Sequence, residues 1–214
     1  TEVPFAGDVI CMYDLETTGK NAATADAVDV SCRFLKVASG AGGRLELAKL
    51  VAGTNFDTLV RPLSGNIPEE ATAVHGITIG MVTAEGVPAL SAMKMALGAA
   101  ITAAAKEAGQ RPQKLWVWML GHNSNVYDMK VMACALERAE GQAGSWLQLL
   151  EESGVVGVID SLALLSKAFS AVAGVTGQTG KKLTAVYGAV FSGKELPNAH
   201  RAVHRGELLS SLPG

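Results

Sequence analysis

Hydrophobic and polar positions change their period along the chain, and each change marks an element. The stretch DVICMYDLETTG (8–19) is an apolar run that ends in two acids and a glycine, the pattern of a buried strand delivering side chains at its carboxyl end. AVDVSCRFLKVA and LELAKLVAGTNFDTLVRP read as two further strands, separated by the glycine-rich turn SGAGGR. Three strands in succession predict an antiparallel meander. Beyond Pro68 the texture becomes helical: PALSAMKMALGAAITAAAKEAG opens on a proline and closes on a glycine, as a helix should. KLWVWMLGHN predicts the next strand, VYDMKVMACALERAEG the next helix, and GVVGVIDSLALLSKAF a short strand running into a helix at Asp160 or Ser161. A Gly/Thr-rich loop precedes a short helix over KLTAVYGAVF, and NAHRAVHRGELL supplies a last one with Asn198 as N-cap. This order implies an α/β fold, a mixed sheet flanked by helices.

Composition narrows the class. The 214 residues suit one domain, 1–214, with one core. Apolar residues make up 49% and charged ones 18%, ample for a buried interior. Mean hydropathy is positive at +0.25, yet no window holds 18 uninterrupted apolar residues, so no membrane span is expected. The excess suggests a face covered by a second copy, as a homodimer, or by a larger assembly. A net charge of −2 excludes coating nucleic acid by charge alone. The segment from Lys167 to Arg205 is nevertheless locally basic, which suits either phosphate or a solvated face. Cys11, Cys32 and Cys134, odd in number and set in apolar runs, read as free core thiols of an intracellular, reducing compartment. Trp116, Trp118, Met93 and Met95 read as packing.

Candidate chemistry is acidic. Asp14 and Glu16 alternate along a strand and share a face. Two carboxylates side by side repel unless a cation lies between them, and a hard divalent ion such as Mg²⁺ or Mn²⁺ answers that need; solvated acids at a strand end are the bland alternative. Asp128 opens a helix after an apolar strand, where the helix N-terminus by itself favours a carboxylate. His122 and Asn123 suit a turn that satisfies its own backbone.

Taken in order, DLETTG, LVRPLSGNIPEEATAVHGIT, HNSNVYD and NAHRAVH resemble the DEDDh group of 3′-5′ exonucleases, from about Val9 to Leu212. HNSNVYD is similar to the three-prime repair exonucleases, AHRAV to bacterial proofreading subunits and ribonuclease T. The resemblance implies an RNase H-like fold with a five-stranded mixed sheet and helices on both sides. It implies two Mg²⁺ or Mn²⁺ ions and release of mononucleotides from a DNA or RNA 3′ end. By position, Asp14, Glu16 and Asp128 match metal-binding carboxylates and His200 the histidine that activates water, a suitable base near neutrality. Leu15, Thr17, Thr18, His75, Ile77, Asn123 and Tyr127 fall where the resemblance implies that the terminal nucleotide is held, although a histidine such as His75 is more often a structural turn residue.

The chain departs from that pattern at Arg205, which stands five residues after His200 where the family has a metal-binding Asp. A cation there cannot ligate Mg²⁺, but it can lie between Asp14 and Glu16 as their counter-charge. Glu207 lies two residues further on, about 200° around a helix, and reaches the site only if Gly206 loosens the last turns. His204 offers imidazole, a poor match for Mg²⁺. Two expectations follow: an active 3′-5′ exonuclease with a rearranged site, or an inactive exonuclease-fold domain that binds nucleic acid or serves as a structural subunit.

Overall fold

The computed structural model describes residue 4 and residues 6–49, 55–108, 116–140 and 145–163. The last two helices expected from sequence, with His200, His204, Arg205 and Glu207, lie outside the described residues.

Among the described residues, seven strands form one mixed sheet: β1 (Val9–Thr17), β2 (Ala27–Ser39), β3 (Leu45–Lys49), β4 (Asn55–Arg61), β5 (Val87–Pro88), β6 (Val117–Gly121) and β7 (Val155–Asp160). Their order is β5-β4-β2-β1-β6-β7, with β3 also on β2. Neighbours β1, β2, β3 and β4 pair antiparallel, whereas β1-β6 and β6-β7 pair parallel. The expected mixed sheet and opening meander are present, but the sheet has seven strands where five were expected. One reason is local. The run read as a single strand, LELAKLVAGTNFDTLVRP, is two strands sharing the outer edge of the long β2, with Lys49 opposite Leu35 and Asn55 opposite Arg33.

Five helices are described: α1 (Glu69–His75), α2 (Ile79–Glu85), α3 (Ala89–Ala108), α4 (Asp128–Glu140) and α5 (Ser145–Glu152). Their ends follow elementary rules. Glu69 and Glu70 occupy the first turn of α1, and Gly76 ends it in the left-handed region at φ 75°. Thr78 caps α2 by accepting from the Met81 amide at 3.3 Å. In α4, Asp128 sits in the first turn and Arg138 in the last, both favourable to the helix dipole.

Strand alternation divides the sheet into two faces. Val9, Cys11, Tyr13 and Leu15 of β1 join Val30, Cys32 and Phe34 of β2 in the main core, covered by Met93 and Leu97 of α3, Val131, Met132 and Leu136 of α4, and Trp146, Leu149 and Leu150 of α5. The opposite face begins as a smaller apolar cluster, Ile10, Met12, Leu35, Val37 and Trp118. Trp118 donates from Nε1 to Asp8 at 2.9 Å, so this tryptophan is core, as its alternation suggests. Met93 is buried, but Met95 is 49% exposed and does not pack as expected: two positions along α3 carry it away from the sheet. Cys11 and Cys32 are buried free thiols, and Cys134 is half-buried. Among the described residues no helix is long and apolar enough to cross a membrane.

A buried acid ties the loops at one end of the sheet. Asp26 accepts from Arg138 at 2.6 Å and from the Ser64 amide at 2.9 Å, and its own amide donates to Thr18 Oγ1 at 2.9 Å. Arg138 also donates to the carbonyls of Ala23 and Ala25. Replacing this buried carboxylate leaves the Ser64 amide and the Arg138 guanidinium short of an acceptor, which costs about 2 kcal/mol. Asp26→Ala is therefore expected to lower the unfolding free energy by that amount, read as a lower urea midpoint at an unchanged m-value, while Asp57→Ala, whose carboxylate is one-third exposed, lowers it less.

Candidate active site

The parallel strands β1, β6 and β7 end on one edge of the sheet, and the candidate residues gather there. β1 outruns β6: its register ends at Met12 opposite Leu120, so Asp14 and Glu16 project beyond the neighbouring strand. Both lie on the face opposite the main core, because they keep the alternation of Ile10 and Met12. Glu16 is 7% exposed and Asp14 is partly buried.

Register brings further acids to the same face. Glu16 stands opposite Asp29 of β2, and Asp14 opposite Ser31, which in turn is opposite Asp57 of β4. Arg33 bonds Asp57 through Nη1 at 3.1 and 3.2 Å, and Ser31 donates to Asp57 at 2.5 Å. Burial pushes the Asp29 carboxyl up to about 7, the charges of Asp57 and Asp14 add to the rise, and Arg33 opposes it. Sequence reading missed Asp29, because its significance comes from the cross-strand register rather than from any local motif.

Asp128 enters from the first turn of α4 and is 7% exposed. Its neighbours mark its place: the charges of Asp128 and Glu16 both raise the Tyr127 phenol, after burial, while Thr17 opposes the rise. Asp128 and Asp160 likewise raise Tyr13, whose phenol burial already drives far up and Ser124 draws back. Asp128 thus lies within electrostatic reach of both Tyr13 and Tyr127, and Glu16 within reach of Tyr127. Among the described residues no three His, Cys, Asp or Glu side chains converge closely enough to hold a metal ion by themselves.

Two polar clamps hold the loops around these acids. Tyr127 and Thr17 hydroxyls lie 2.6 Å apart, and both reach the Gly19 carbonyl, Thr17 at 2.9 Å. This three-oxygen cluster fixes the turn after Glu16 to the start of α4. The second clamp is Asp160, at the end of β7. It accepts from the amides of Asn123 at 2.9 Å, Asn125 at 3.1 Å and Leu162 at 2.9 Å, while His122 Nδ1 meets Ser161 Oγ at 3.0 Å. Asn123 adopts φ 60°, a conformation that asparagine tolerates. Gly121 makes room for the turn: a Cβ there would sit 2.5 Å from Ser124 Cβ and 3.2 Å from the Tyr13 ring. Sequence reading saw Asp160 only as a helix start; its role depends on a partner loop 35 residues away in sequence.

The remaining expected residues fall in different settings. Leu15 is in the main core, and Ile77 packs with Val28, Ile67 and Val82. His75 is buried; its Nδ1 accepts from the Ile77 amide at 3.0 Å, and burial lowers its pKa against a smaller opposing effect of the Thr17 backbone. Thr17, Thr18, Asn123 and Tyr127 are partly exposed along the site.

The Asp29 shift gives stability a pH dependence. A carboxyl raised from an unfolded value of 3.8 to about 7 binds its proton more tightly in the folded chain, so the contribution is full below about pH 4 and is lost as pH rises to 7. With a chelator present, the unfolding free energy is expected to fall across pH 4–7 with a slope of at most about 1.4 kcal/mol per pH unit for one proton, and Asp29→Asn should flatten that slope. For the second clamp, Asp160→Ala is expected to speed hydrogen exchange at the amides of Asn123 and Asn125 by tenfold or more, roughly the loss of one charge-assisted hydrogen bond, with β1 amides unchanged.

No protein-family model and no curated protein matches the chain. Solved structures do. The zinc-bound single-stranded DNA complex of E. coli exonuclease I superposes with a TM-score of 0.61 at 16% identity, covering 96% of this chain and 39% of that one. The dA16 complex of E. coli exonuclease I gives 0.62 at 17% identity over 94% and 39%. A product-bound exonuclease I gives 0.61 at 16% over 95% and 42%, so this chain spans less than half the length of the structures it resembles. The likeness is one of fold: a mixed sheet flanked by helices, of the exonuclease or RNase H-like kind.

Proposed function

We propose that the chain acts on nucleic-acid 3′ ends as a metal-dependent 3′-5′ exonuclease, with Asp14, Glu16 and Asp128 as the carboxylates of the site and His200 as its base. The observation that supports the reading is the alternation that puts Asp14 and Glu16 on one face at the end of β1, with Glu16 and Asp128 of α4 both acting on Tyr127. The donor set suits the proposed ion. Mg²⁺ prefers hard oxygen ligands, keeps several waters and is usually held by one or two carboxylates plus substrate phosphate, so three carboxylates that do not close a cage are an adequate supply. When bound, such an ion neutralises phosphate charge and lowers the pKa of attacking water.

The protein residues divide the remaining work. Thr17 and Thr18, pinned by Tyr127 and Asp26, present backbone to the terminal nucleotide. His200 takes the proton of the attacking water as it adds to the scissile phosphorus, and the 3′ oxygen of the preceding nucleotide leaves. The family's remaining carboxylate has no substitute in Asp160, whose oxygens are already taken by three backbone amides.

A second reading is favoured by Arg205. A guanidinium binds phosphate well and metal not at all, so it suits a domain that holds a 3′ end without cutting it. Incubation of a 3′-labelled single-stranded oligonucleotide with Mn²⁺ or Mg²⁺ separates the two. Release of labelled mononucleotide above an Asp14→Ala control is expected, and Arg205→Asp is expected to raise the rate on the order of a hundredfold, the scale of one electrostatic contact to developing charge. Binding without release, in wild type and Arg205→Asp alike, leaves the holding role.

A further inference from the structure

Beside the acids lies a pocket of different character. It has a volume of about 320 Å³ and is walled by the turn after β1, with Thr18, Lys20 and Asn21, and by the segment before α1, with Ser64, Asn66 and Pro68. Its size is at the small end of ligand sites. No carboxylate lines it. Lys20 is exposed, and its ammonium has no ion-pair partner among the described residues. A wall of one cation, amides and hydroxyls without an acid selects an anion.

The pocket is held in shape by the structure beneath it. Asp26 bridges its two walls, taking the Ser64 amide on one side and donating its own amide to Thr18 Oγ1 on the other, while the Thr18 amide returns to the Asp26 carbonyl at 2.9 Å. Asn21 stiffens the rim: its side chain accepts from the Ala23 amide at 3.1 Å and its carbonyl from the Thr24 and Ala25 amides. Arg138 is spent on Asp26, Ala23 and Ala25, which leaves Lys20 to present the positive charge. Thr18 belongs both to the pocket and to the turn that follows Glu16, so the pocket opens within a few residues of the acids along the chain.

We infer that the Lys20 pocket is a phosphate subsite, which takes a backbone phosphate of the bound strand upstream of the scissile one and sets how the 3′ end is threaded toward Asp14 and Glu16. This rests on the proposed action at nucleic-acid 3′ ends. The chemistry is shared by a free phosphate or a released mononucleotide, so the test must separate those sources.

Binding of a fluorescent single-stranded oligonucleotide to the full chain is measured against salt, with Ca²⁺ in place of Mg²⁺ to keep the strand intact. Lys20→Ala is expected to weaken binding several-fold and to lower the slope of log K against log salt by about 0.7, the value for one single-strand phosphate contact. Lys94→Ala, on the exposed side of α3, should change neither. Oligonucleotides carrying one neutral methylphosphonate at the second, third or fourth linkage from the 3′ end then locate the contact: one position should weaken wild type and leave Lys20→Ala indifferent. Equal slopes in wild type and Lys20→Ala overturn the inference while leaving the proposed function standing. Loss of inorganic-phosphate or mononucleotide binding in Lys20→Ala with strand binding unchanged also overturns it. Failure of wild type to bind any strand overturns both.

Discussion

Everything at the candidate site depends on the alternation of β1. Four of its side chains, Val9, Cys11, Tyr13 and Leu15, are locked beneath α3, α4 and α5, and this leaves Ile10, Met12, Asp14 and Glu16 no choice of face. A slip of one residue would bury both carboxylates under the helices and expose Tyr13 and Leu15. The apolar half of the strand therefore holds the acidic half in place. Burial of a large aromatic or aliphatic side chain is worth about 1.5–3 kcal/mol, and Val9, Tyr13 and Leu15 are all buried on this face, which holds the register against the repulsion of the two acids.

The fixed strand sorts the neighbouring acids into two kinds. Asp26, Asp57 and Asp160 are bound by backbone amides or guanidinium groups and act as structural ties. Asp29 lies in the field of Asp14 and Asp57 and is driven toward its neutral form. Burying that charge is costly unless a cation answers it, and Arg33, the guanidinium that opposes the rise, is itself bound to Asp57. The structural acids also decide where the others sit: Asp160 holds the 122–127 turn that leads into Asp128, and Asp26 holds the turn that follows Glu16.

Periodicity made β1, β2, α3, α4, β6 and β7 legible, because each has a long run with one clear period and a flanking proline, glycine or acid. The shared face of Asp14 and Glu16 was legible for the same reason. Other features were not. α5 is only eight residues long and follows a polar stretch, too short for its period to stand out. The run over β3 and β4 reads as one strand in sequence, and only the different registers of the two against β2 divide it. Asp29 and Asp160 gained their roles from register and from a distant loop, contacts that no window of sequence contains. Exposure of Met95 shows the converse, since in an alanine-rich helix composition says little about which turn faces the core.

On the proposed reading, Arg205 changes the meaning of this acid cluster rather than abolishing it. A divalent ion brings two charges and is available only when the solution supplies it; a guanidinium brings one and is always present. Placing it among carboxylates lowers their mutual repulsion and the site's demand for metal, while still presenting donors to phosphate. Strand binding would then depend less on metal than hydrolysis does, because holding a phosphate needs only positive charge, whereas activating water needs a Lewis acid. The proposed Lys20 subsite would work in the same direction, adding charge along the strand and away from the reacting phosphorus, where it would strengthen the hold on the 3′ end without touching the chemical step.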